Sequence, residues 1–309
     1  MTAASPSPER FRRALASLRG LSVGDALGSQ FFVPANYPAL QRRELPPGPW
    51  QWTDDTEMAC SVLAVLAASD GGGDLDQDAL AHAFAEHHDF DRGYGPAVNR
   101  MLRLVRQEGA DWRTLAAALF NGQGSWGNGA AMRVAPLGAW YADDPQRAAR
   151  QGELSALTTH THPEGVAGAM AVAAAAALVA GPDGPCSPVS LLTAVLELVP
   201  PSSVRAGLLR ARGILDYADV STVAAVLGCG RRTTAHDTVP FALWAAARHL
   251  DDFEGAFWAT AGAGGDVDTT CAIVGGVLSS RPTGTPPDTW LHRTEPLPAW
   301  TPEARSDNG

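Results

Sequence analysis

Hydrophobic residues recur at helical spacing along most of this chain. Apolar side chains occupy positions i, i+3 and i+4 in a long series of segments, which begins with Phe11–Leu21 and Glu57–Ser69 and ends with Cys271–Leu278. Residues spaced in this way share one face of an α-helix, and that face can be buried. The alternating β-branched residues that would indicate strands are nearly absent. The pattern predicts a compact all-α protein of about a dozen helices.

The same periodicity indicates the limits of the domain. Helical segments continue without a linker or an internal repeat from residue 9 to residue 281, so we predict a single domain over 9–281. Residues 1–8 and 282–309 are rich in proline and polar side chains, and we expect both to be loosely ordered tails. The most apolar run, Val166–Ala180, is short for a bilayer span and consists mostly of alanine, which predicts a buried helix.

The composition excludes several classes of protein. A content of 45% hydrophobic and 18% charged residues is typical of a soluble globular protein. Lys and Arg number 23 against 33 Asp and Glu, which argues against membrane partners and strong non-specific nucleic-acid binding. The four cysteines are widely separated and the N-terminal residues lack an apolar signal segment. We therefore expect a cytoplasmic protein with free thiols, and a monomer.

Two short clusters of carboxylates and hydroxyls precede predicted helices. The first is T-D-D-T-E at residues 53–57, and the second is G-G-D-V-D-T-T at residues 264–270. Either cluster alone is consistent with simple helix capping. Together they offer the oxygen ligands that hard divalent cations prefer, and four carboxylates gathered without a cation would repel each other. The pair of clusters therefore indicates a metal site.

Five motifs occur in an order that is characteristic of one family. They are G-x-x-x-G-D-A-L-G at 20–28, W-T-D-D-T at 52–56, G-N-G-A-A-M-R at 127–133, T-H-x-H-P at 159–163 and G-G-D-V-D-T at 264–269. Over residues 12–279 the chain thereby resembles the ADP-ribosylglycohydrolase family, which includes the glycohydrolase that activates dinitrogenase reductase. The resemblance implies an orthogonal all-α bundle with a binuclear Mg²⁺ or Mn²⁺ centre in a cleft.

The resemblance also implies roles for individual residues. By motif match, the metal ligands would be Thr53, Asp54, Asp55, Asp266, Asp268 and Thr269. The aspartates that would also serve catalysis, by accepting a proton from the attacking water, are Asp54, Asp55, Asp266 and Asp268. Substrate contacts are expected from Asp25, Phe32, Gly127, Asn128, Gly129, Ala131, Met132 and His160. Backbone N–H groups of the segment 127–131 would hold the diphosphate.

Phe32 departs from the family pattern. The family usually has a glutamate seven residues after the aspartate of its G-D-A-L-G motif, and this chain has Phe32 at that position. Either another group does the work of that glutamate, or the substrate differs, or activity has been lost. We expect Phe31 or Phe32 to point into the cleft, where an aromatic ring would favour a flat leaving group such as a nucleobase.

The remaining motifs argue against several other types of active site. Residues 122–127 satisfy G-x-G-x-x-G but do not follow a strand, which argues against a dinucleotide-binding turn. His160 and His162 have no nearby cluster of Cys or His that would suit zinc. The chain has no G-x-S-x-G nucleophile motif. The loop Asp91–Gly95 is equally compatible with lining the cleft and with a purely structural role.

The sequence thus predicts a hydrolase that uses two Mg²⁺ or Mn²⁺ ions to cleave ADP-ribose from an ADP-ribosylated substrate. One alternative is a module that binds ADP-ribose with little or no hydrolase activity, which the absence of the usual glutamate encourages. A second alternative is a two-metal phosphohydrolase.

Overall fold

The computed structural model describes residues 8–69, 73–182, 184 and 187–302, and these residues form an all-α fold, as predicted. The first eight helices are α1 (Pro8–Ser29), α2 (Tyr37–Arg42), α3 (Asp54–Ala68), α4 (Gln77–His87), α5 (Pro96–Glu108), α6 (Trp112–Gly122), α7 (Ala135–Trp140) and α8 (Pro145–Leu157). The other eight are α9 (Pro163–Ala180), α10 (Pro188–Leu198), α11 (Ser203–Gly213), α12 (Val220–Leu227), α13 (Ala235–Arg248), α14 (Phe253–Gly262), α15 (Val267–Leu278) and α16 (Asp288–Leu291). Within the described ranges there is no β-strand, and the tail residues 1–7 and 303–309 lie outside them.

Helix α9 forms the centre of the core. It is long and apolar enough to cross a membrane by length and composition, but 72% of it is buried inside the fold. It packs against α7, α8, α10 and α13. Its alanines let neighbouring backbones approach closely: a Cβ atom on Gly138 of α7 would lie 2.3 Å from the carbonyl oxygen of Ala173. The alanine-rich run is therefore a core helix, as its composition predicts.

Helix α1 and helix α15 are in close contact along a stripe of glycines. The glycines of the 20–28 motif recur every four residues and therefore share one face of α1. A Cβ atom on Gly24 would lie 2.2 Å from the carbonyl oxygen of Cys271, and one on Gly28 would lie 2.8 Å from that of Val267. The motif is thus part of a helix, and it brings the N-terminal end of α15 against α1.

The expectation of a loose tail from residue 282 is wrong for residues 282–302. Trp290 is 3% exposed and packs edge-on against Phe257, with ring centroids 5.3 Å apart. The Trp50 N–H donates to the Arg293 carbonyl oxygen at 2.7 Å, which ties the segment to the loop before α3. Prolines exclude a long helix here, but the aromatic side chain of Trp290 completes a cluster in the core and holds the segment in place.

Candidate active site

The first acidic cluster is fastened to α1 by Asp25. Its fully buried carboxylate accepts hydrogen bonds from the backbone N–H and the hydroxyl of Thr53 at 2.9 and 2.8 Å. It accepts two more from the N–H and the hydroxyl of Thr56 at 3.1 and 2.6 Å. These bonds satisfy donors at the N-terminal end of α3 and determine where Asp54 and Asp55 lie. The structure therefore places Asp25 as a positioning residue for the cluster, buried behind the two threonines.

The second cluster stands at the start of α15, after a turn in which Gly264 and Gly265 both have positive φ angles. Asp266 accepts a hydrogen bond from the side-chain amide of Asn128 at 2.7 Å. The Thr269 hydroxyl donates to a carboxylate oxygen of Asp55 at 3.5 Å. The structure thus brings together two clusters that are more than 200 residues apart in the sequence.

The two clusters form one wall of a cavity of about 570 Å³. The predicted ligands and catalytic residues that line this cavity are Asp54, Asp55, Asp266, Asp268 and Thr269. The predicted substrate contacts that line it are Gly127, Asn128, Gly129, Met132 and His160. The predicted residues outside its lining are Asp25, Phe32, Thr53 and Ala131. Thr53 instead caps α3, and Ala131 is fully buried with its N–H bonded to the Asn128 carbonyl oxygen.

The carboxylates of this cavity repel one another and are poorly solvated. Burial, and then the charges of neighbouring aspartates, raises the pKa of Asp54 to about 8 and raises the pKa values of Asp55 and Asp268 well above their ordinary range. The Asp55 Oδ2 atom is buried and has no hydrogen-bond partner among the described residues. An unpaired carboxylate oxygen costs free energy when it is buried beside other carboxylates. A cation bound to it would remove that cost.

The donor set of the cavity suits a hard divalent cation. It consists of carboxylate and hydroxyl oxygens, which Mg²⁺ and Mn²⁺ prefer, and it contains no thiolate. Within the described ranges, no three His, Cys, Asp or Glu side chains are placed so that they could hold a metal ion as they stand. The cavity therefore supplies suitable ligands, and Mg²⁺ would complete its coordination with water or substrate oxygens, as it commonly does in proteins.

His160 is held by a hydrogen-bonded chain that starts at a buried arginine. Arg133 is fully buried, and its Nη2 donates to the Thr159 hydroxyl oxygen at 2.9 Å. The Thr159 Oγ1 atom lies 2.7 Å from His160 Nδ1. Because this oxygen accepts from the guanidinium, we assign its proton to the bond with Nδ1, which leaves the ring proton of His160 on Nε2.

The protonation state of His160 follows from the same surroundings. Burial, and then the positive charge of Arg133, lowers the pKa of His160 to about 3, so the ring is neutral at physiological pH. Its Nε2 atom faces the loop 127–129: a Cβ atom built on Gly129 would lie 3.1 Å from it. His160 thus offers one N–H donor to a ligand in the cavity.

Phe31 and Phe32 do not occupy the position expected for the missing glutamate. Phe31 is 3% exposed and packs against Phe257 and Trp258, with ring centroids 6.3 and 6.1 Å apart. Phe32 is 49% exposed but lies outside the lining of the cavity. The aromatic side chains of Phe257 and Trp258 in the middle of α14 pack against Phe31 in the core, and Phe32 is left facing solvent. The predicted preference for flat leaving groups therefore has no support from these two residues.

Two other aromatic side chains do line the cavity, and the sequence interpretation missed both. Phe120 and Trp126 are 53% and 49% exposed. Phe120 has a φ of +52°, which is strained for a bulky side chain and marks a kink at the end of α6. Exposed aromatic rings on a cavity wall are suited to stacking on a flat ligand. The kink that exposes Phe120 depends on backbone φ angles that no sequence motif predicted.

The loop Asp91–Gly95, whose role the sequence left open, contributes Gly93 and Gly95 to the lining. The Tyr94 hydroxyl in this loop donates to Glu57 Oε2 at 2.6 Å and anchors the loop to α3. Glu57 therefore holds the wall of the cavity through its bond to Tyr94.

Comparisons with known proteins agree with this arrangement. A family model described as ADP-ribosylglycohydrolase matches residues 6–303. The chain is 36% identical over 186 residues to ADP-ribosylhydrolase ARH3 of Homo sapiens, an alignment that covers 54% of this chain and 49% of that protein. It is 32% identical over 169 residues to the ADP-ribosyl-[dinitrogen reductase] glycohydrolase of Rhodospirillum rubrum, covering 50% and 54% respectively. The chain thus spans about half the length of these curated relatives.

The similarity of the fold extends further than these alignments. A solved structure of an ADP-ribosylglycohydrolase-related protein complex superposes with a TM-score of 0.67 at 25% identity, and the match covers 94% of both chains. The all-α architecture is therefore shared with that protein over almost its entire length.

Proposed function

The chain belongs to the ADP-ribosylglycohydrolase family, and on this premise we propose that it is a divalent-cation-dependent hydrolase that cleaves ADP-ribose from a modified group. The observation that carries the proposal is the junction of the two acidic clusters, where Thr269 contacts Asp55 and the second carboxylate oxygen of Asp55 is buried without a partner. This arrangement is costly in a protein that does not bind a cation and useful in one that does.

The cations would be held by the side chains that line the shared wall. Asp54 and Asp55 would contribute from α3, and Asp266, Asp268 and Thr269 from the start of α15. Bound Mg²⁺ or Mn²⁺ supplies Lewis-acid charge that stabilises negative charge on oxygen and lowers the pKa of a water molecule. The proposal thus assigns the first and second clusters to one centre.

The other walls of the cavity are suited to the rest of ADP-ribose. The Nε2–H of His160 can donate a hydrogen bond to an oxygen of the ribose or the diphosphate. The imidazole ring stays neutral across physiological pH, so this donor remains available. Phe120 and Trp126 offer two exposed aromatic faces for the adenine base. The cavity therefore combines polar groups for the reacting end with aromatic groups for the nucleobase.

Proton transfer would fall to the aspartates, because the usual glutamate is absent. Asp54 lines the cavity and keeps partial access to solvent. Without a cation, burial and the charge of Asp25 raise the pKa of Asp54 to about 8; a bound cation would lower this pKa, so that the ionised carboxylate could accept a proton. We therefore assign to Asp54 the uptake of the proton that the attacking water loses as its oxygen bonds to the anomeric carbon of the ribose. The bond from that carbon to the modified group breaks in the same reaction, and its electron pair leaves with that group, which takes a proton from solvent.

The test is the release of labelled ADP-ribose from arginine-, serine- and nucleobase-linked conjugates, with Mg²⁺ and with EDTA. We expect release from at least one conjugate, its loss in EDTA, and its loss in Asp55→Asn. The matched control is Asp216→Asn, an exposed aspartate that does not line the cavity.

Two results would replace the proposal. Tight retention of ADP-ribose without release from any conjugate would identify a binding module. Release of inorganic phosphate in place of ADP-ribose would identify a phosphohydrolase.

A further inference from the structure

A second cavity, of about 450 Å³, lies beside the proposed active site. Its walls are α11, α12, the loop 228–232 and the first turn of α13. Three exposed arginines line it, Arg210 from α11 and Arg231 and Arg232 from the loop. We refer to this cavity as the arginine pocket.

Nearby carboxylates offset only part of the positive charge of the arginine pocket. No ion pair within 4 Å involves any of the three arginines among the residues that the structure describes. One aspartate lines the pocket, Asp237, and its Oδ2 atom accepts a hydrogen bond from the backbone N–H of Arg232 at 2.9 Å. In a chain with a formal charge of −10, three arginines gathered in one cavity form a local reversal of charge that attracts anions.

A histidine in the same wall also has an unused polar atom. The Nδ1 atom of His236 is buried and has no hydrogen-bond partner in the described part of the chain. His236 is in the first turn of α13, a helix of 14 residues whose N-terminal end carries partial positive charge. An oxygen-rich anion would complement the arginines and the helix end together.

The arginine pocket shares a wall with the active-site cavity. Arg232 lines both cavities, and Thr233, the next residue, has a φ of +52° that is strained for a β-branched side chain. The carbonyl oxygen of Cys229 accepts a hydrogen bond from the Asp266 N–H at 3.0 Å, and that of Thr233 accepts one from the Asn128 N–H at 3.0 Å. The loop between the cavities therefore contacts both the acidic cluster and the 127–129 segment.

We propose that the arginine pocket binds a phosphate group, through the guanidinium groups of Arg210, Arg231 and Arg232. Arginine is the side chain best matched to phosphate, because its planar array of donors pairs with two oxygens at once. The phosphate is either free in solution or an ester carried by the substrate outside the part that the active-site cavity holds. The site is defined by its own residues and does not depend on the proposed hydrolase activity.

The first experiment measures the binding of inorganic pyrophosphate by calorimetry, in EDTA and with saturating ADP-ribose present. We expect binding to the native chain that weakens at least about tenfold in Arg231→Glu and in Arg210→Glu. Arg103→Glu is the matched control, because Arg103 is exposed on α5 and lines neither cavity. Melting temperatures of all variants establish that they are folded.

Three outcomes would overturn the proposal: no binding of pyrophosphate, equal weakening in Arg103→Glu, or complete displacement by ADP-ribose. The last outcome would place the anion in the active-site cavity. Failure of ADP-ribose to bind in EDTA is compatible with the proposed function, which requires a cation, whereas failure to bind in Mg²⁺ would contradict it. In either case pyrophosphate binding and its loss in Arg231→Glu still report on the arginine pocket.

The second experiment identifies the source of the phosphate. It compares the affinities of ADP-ribose and of ADP-ribose that carries one additional phosphate on the adenosine ribose. If the phosphate is part of the substrate, the additional group should strengthen binding about tenfold in the native chain, and Arg231→Glu should remove the gain. If the phosphate is free, the two ligands should bind equally, and each should leave the pyrophosphate site available.

Discussion

Replacing Asp54 by asparagine should stabilise the metal-free protein at pH 8, whereas in Mg²⁺ the native chain should be the more stable one. The substitution removes a carboxylate whose pKa is raised to about 8 by burial and by the charges of Asp25 and Asp266. It keeps the size and the polarity of the side chain. The order of stability of the two proteins therefore depends on whether a cation is present.

The magnitude follows from the difference in proton affinity between the folded and the unfolded chain. The pKa of Asp54 is 3.8 in the unfolded chain and about 8 in the folded one, a difference of about four units. Because the folded-state value is the higher one, the stabilisation from the bound proton is fully present below pH 4 and is lost as the pH rises to 8. At about 1.4 kcal/mol per unit, the upper bound is about 6 kcal/mol.

We expect roughly half of that bound, because Asp54 keeps partial access to solvent and its neighbours can relax. In EDTA, Asp54→Asn should therefore be more stable than the native chain by about 3 kcal/mol at pH 8, and the difference should shrink towards pH 4. In Mg²⁺ at about 1,000 times its dissociation constant, binding should add about 4.1 kcal/mol to the native chain and less than about 1 kcal/mol to the variant, which reverses the order of stability.

The assay is urea denaturation followed by circular dichroism between pH 5 and pH 9, in EDTA and in Mg²⁺. Asp216→Asn, which removes an exposed carboxylate, is the control and should behave as the native chain does. The same pH dependence of the native and Asp54→Asn proteins in EDTA, or equal stabilisation of both by Mg²⁺, would refute the predicted role of the Asp54 carboxylate.

Three further substitutions test the walls of the cavity. Thr159→Val should change the tautomer of His160, seen as altered ¹⁵N shifts of its ring, and should weaken ADP-ribose binding about tenfold; unchanged shifts would contradict the assigned hydrogen-bonded chain. Phe120→Ala should weaken ADP-ribose binding by about 1–3 kcal/mol, whereas Phe90→Ala, at an exposed ring outside the cavity, should have no effect in the same titration. Gly129→Val should weaken ADP-ribose binding strongly and lower the melting temperature only slightly, because its Cβ atom would lie 3.0 Å from the ring of His160. A large loss of both binding and melting temperature would indicate an ordinary turn.

The sequence by itself determined the helical class and the location of the chemistry. Apolar spacing and alanine content act within a few turns of a helix, so they are readable without knowledge of distant contacts. The two clusters were visible because each is contiguous, and the motif order linked them to one family. The residues 53–57 and 264–270 are indeed neighbours in the folded chain.

Only the tertiary structure decided which neighbouring residues face the cavity. Asp25 is a buried anchor because α1 lies against the start of α3. Phe31 is buried in the core because it packs against Phe257 and Trp258. Trp290 is buried in the core and holds in place a segment whose composition predicted a loose tail. Each outcome depends on a contact between residues far apart in sequence, and the energy of such a contact is set by the partner it meets, which local patterns of polarity do not specify.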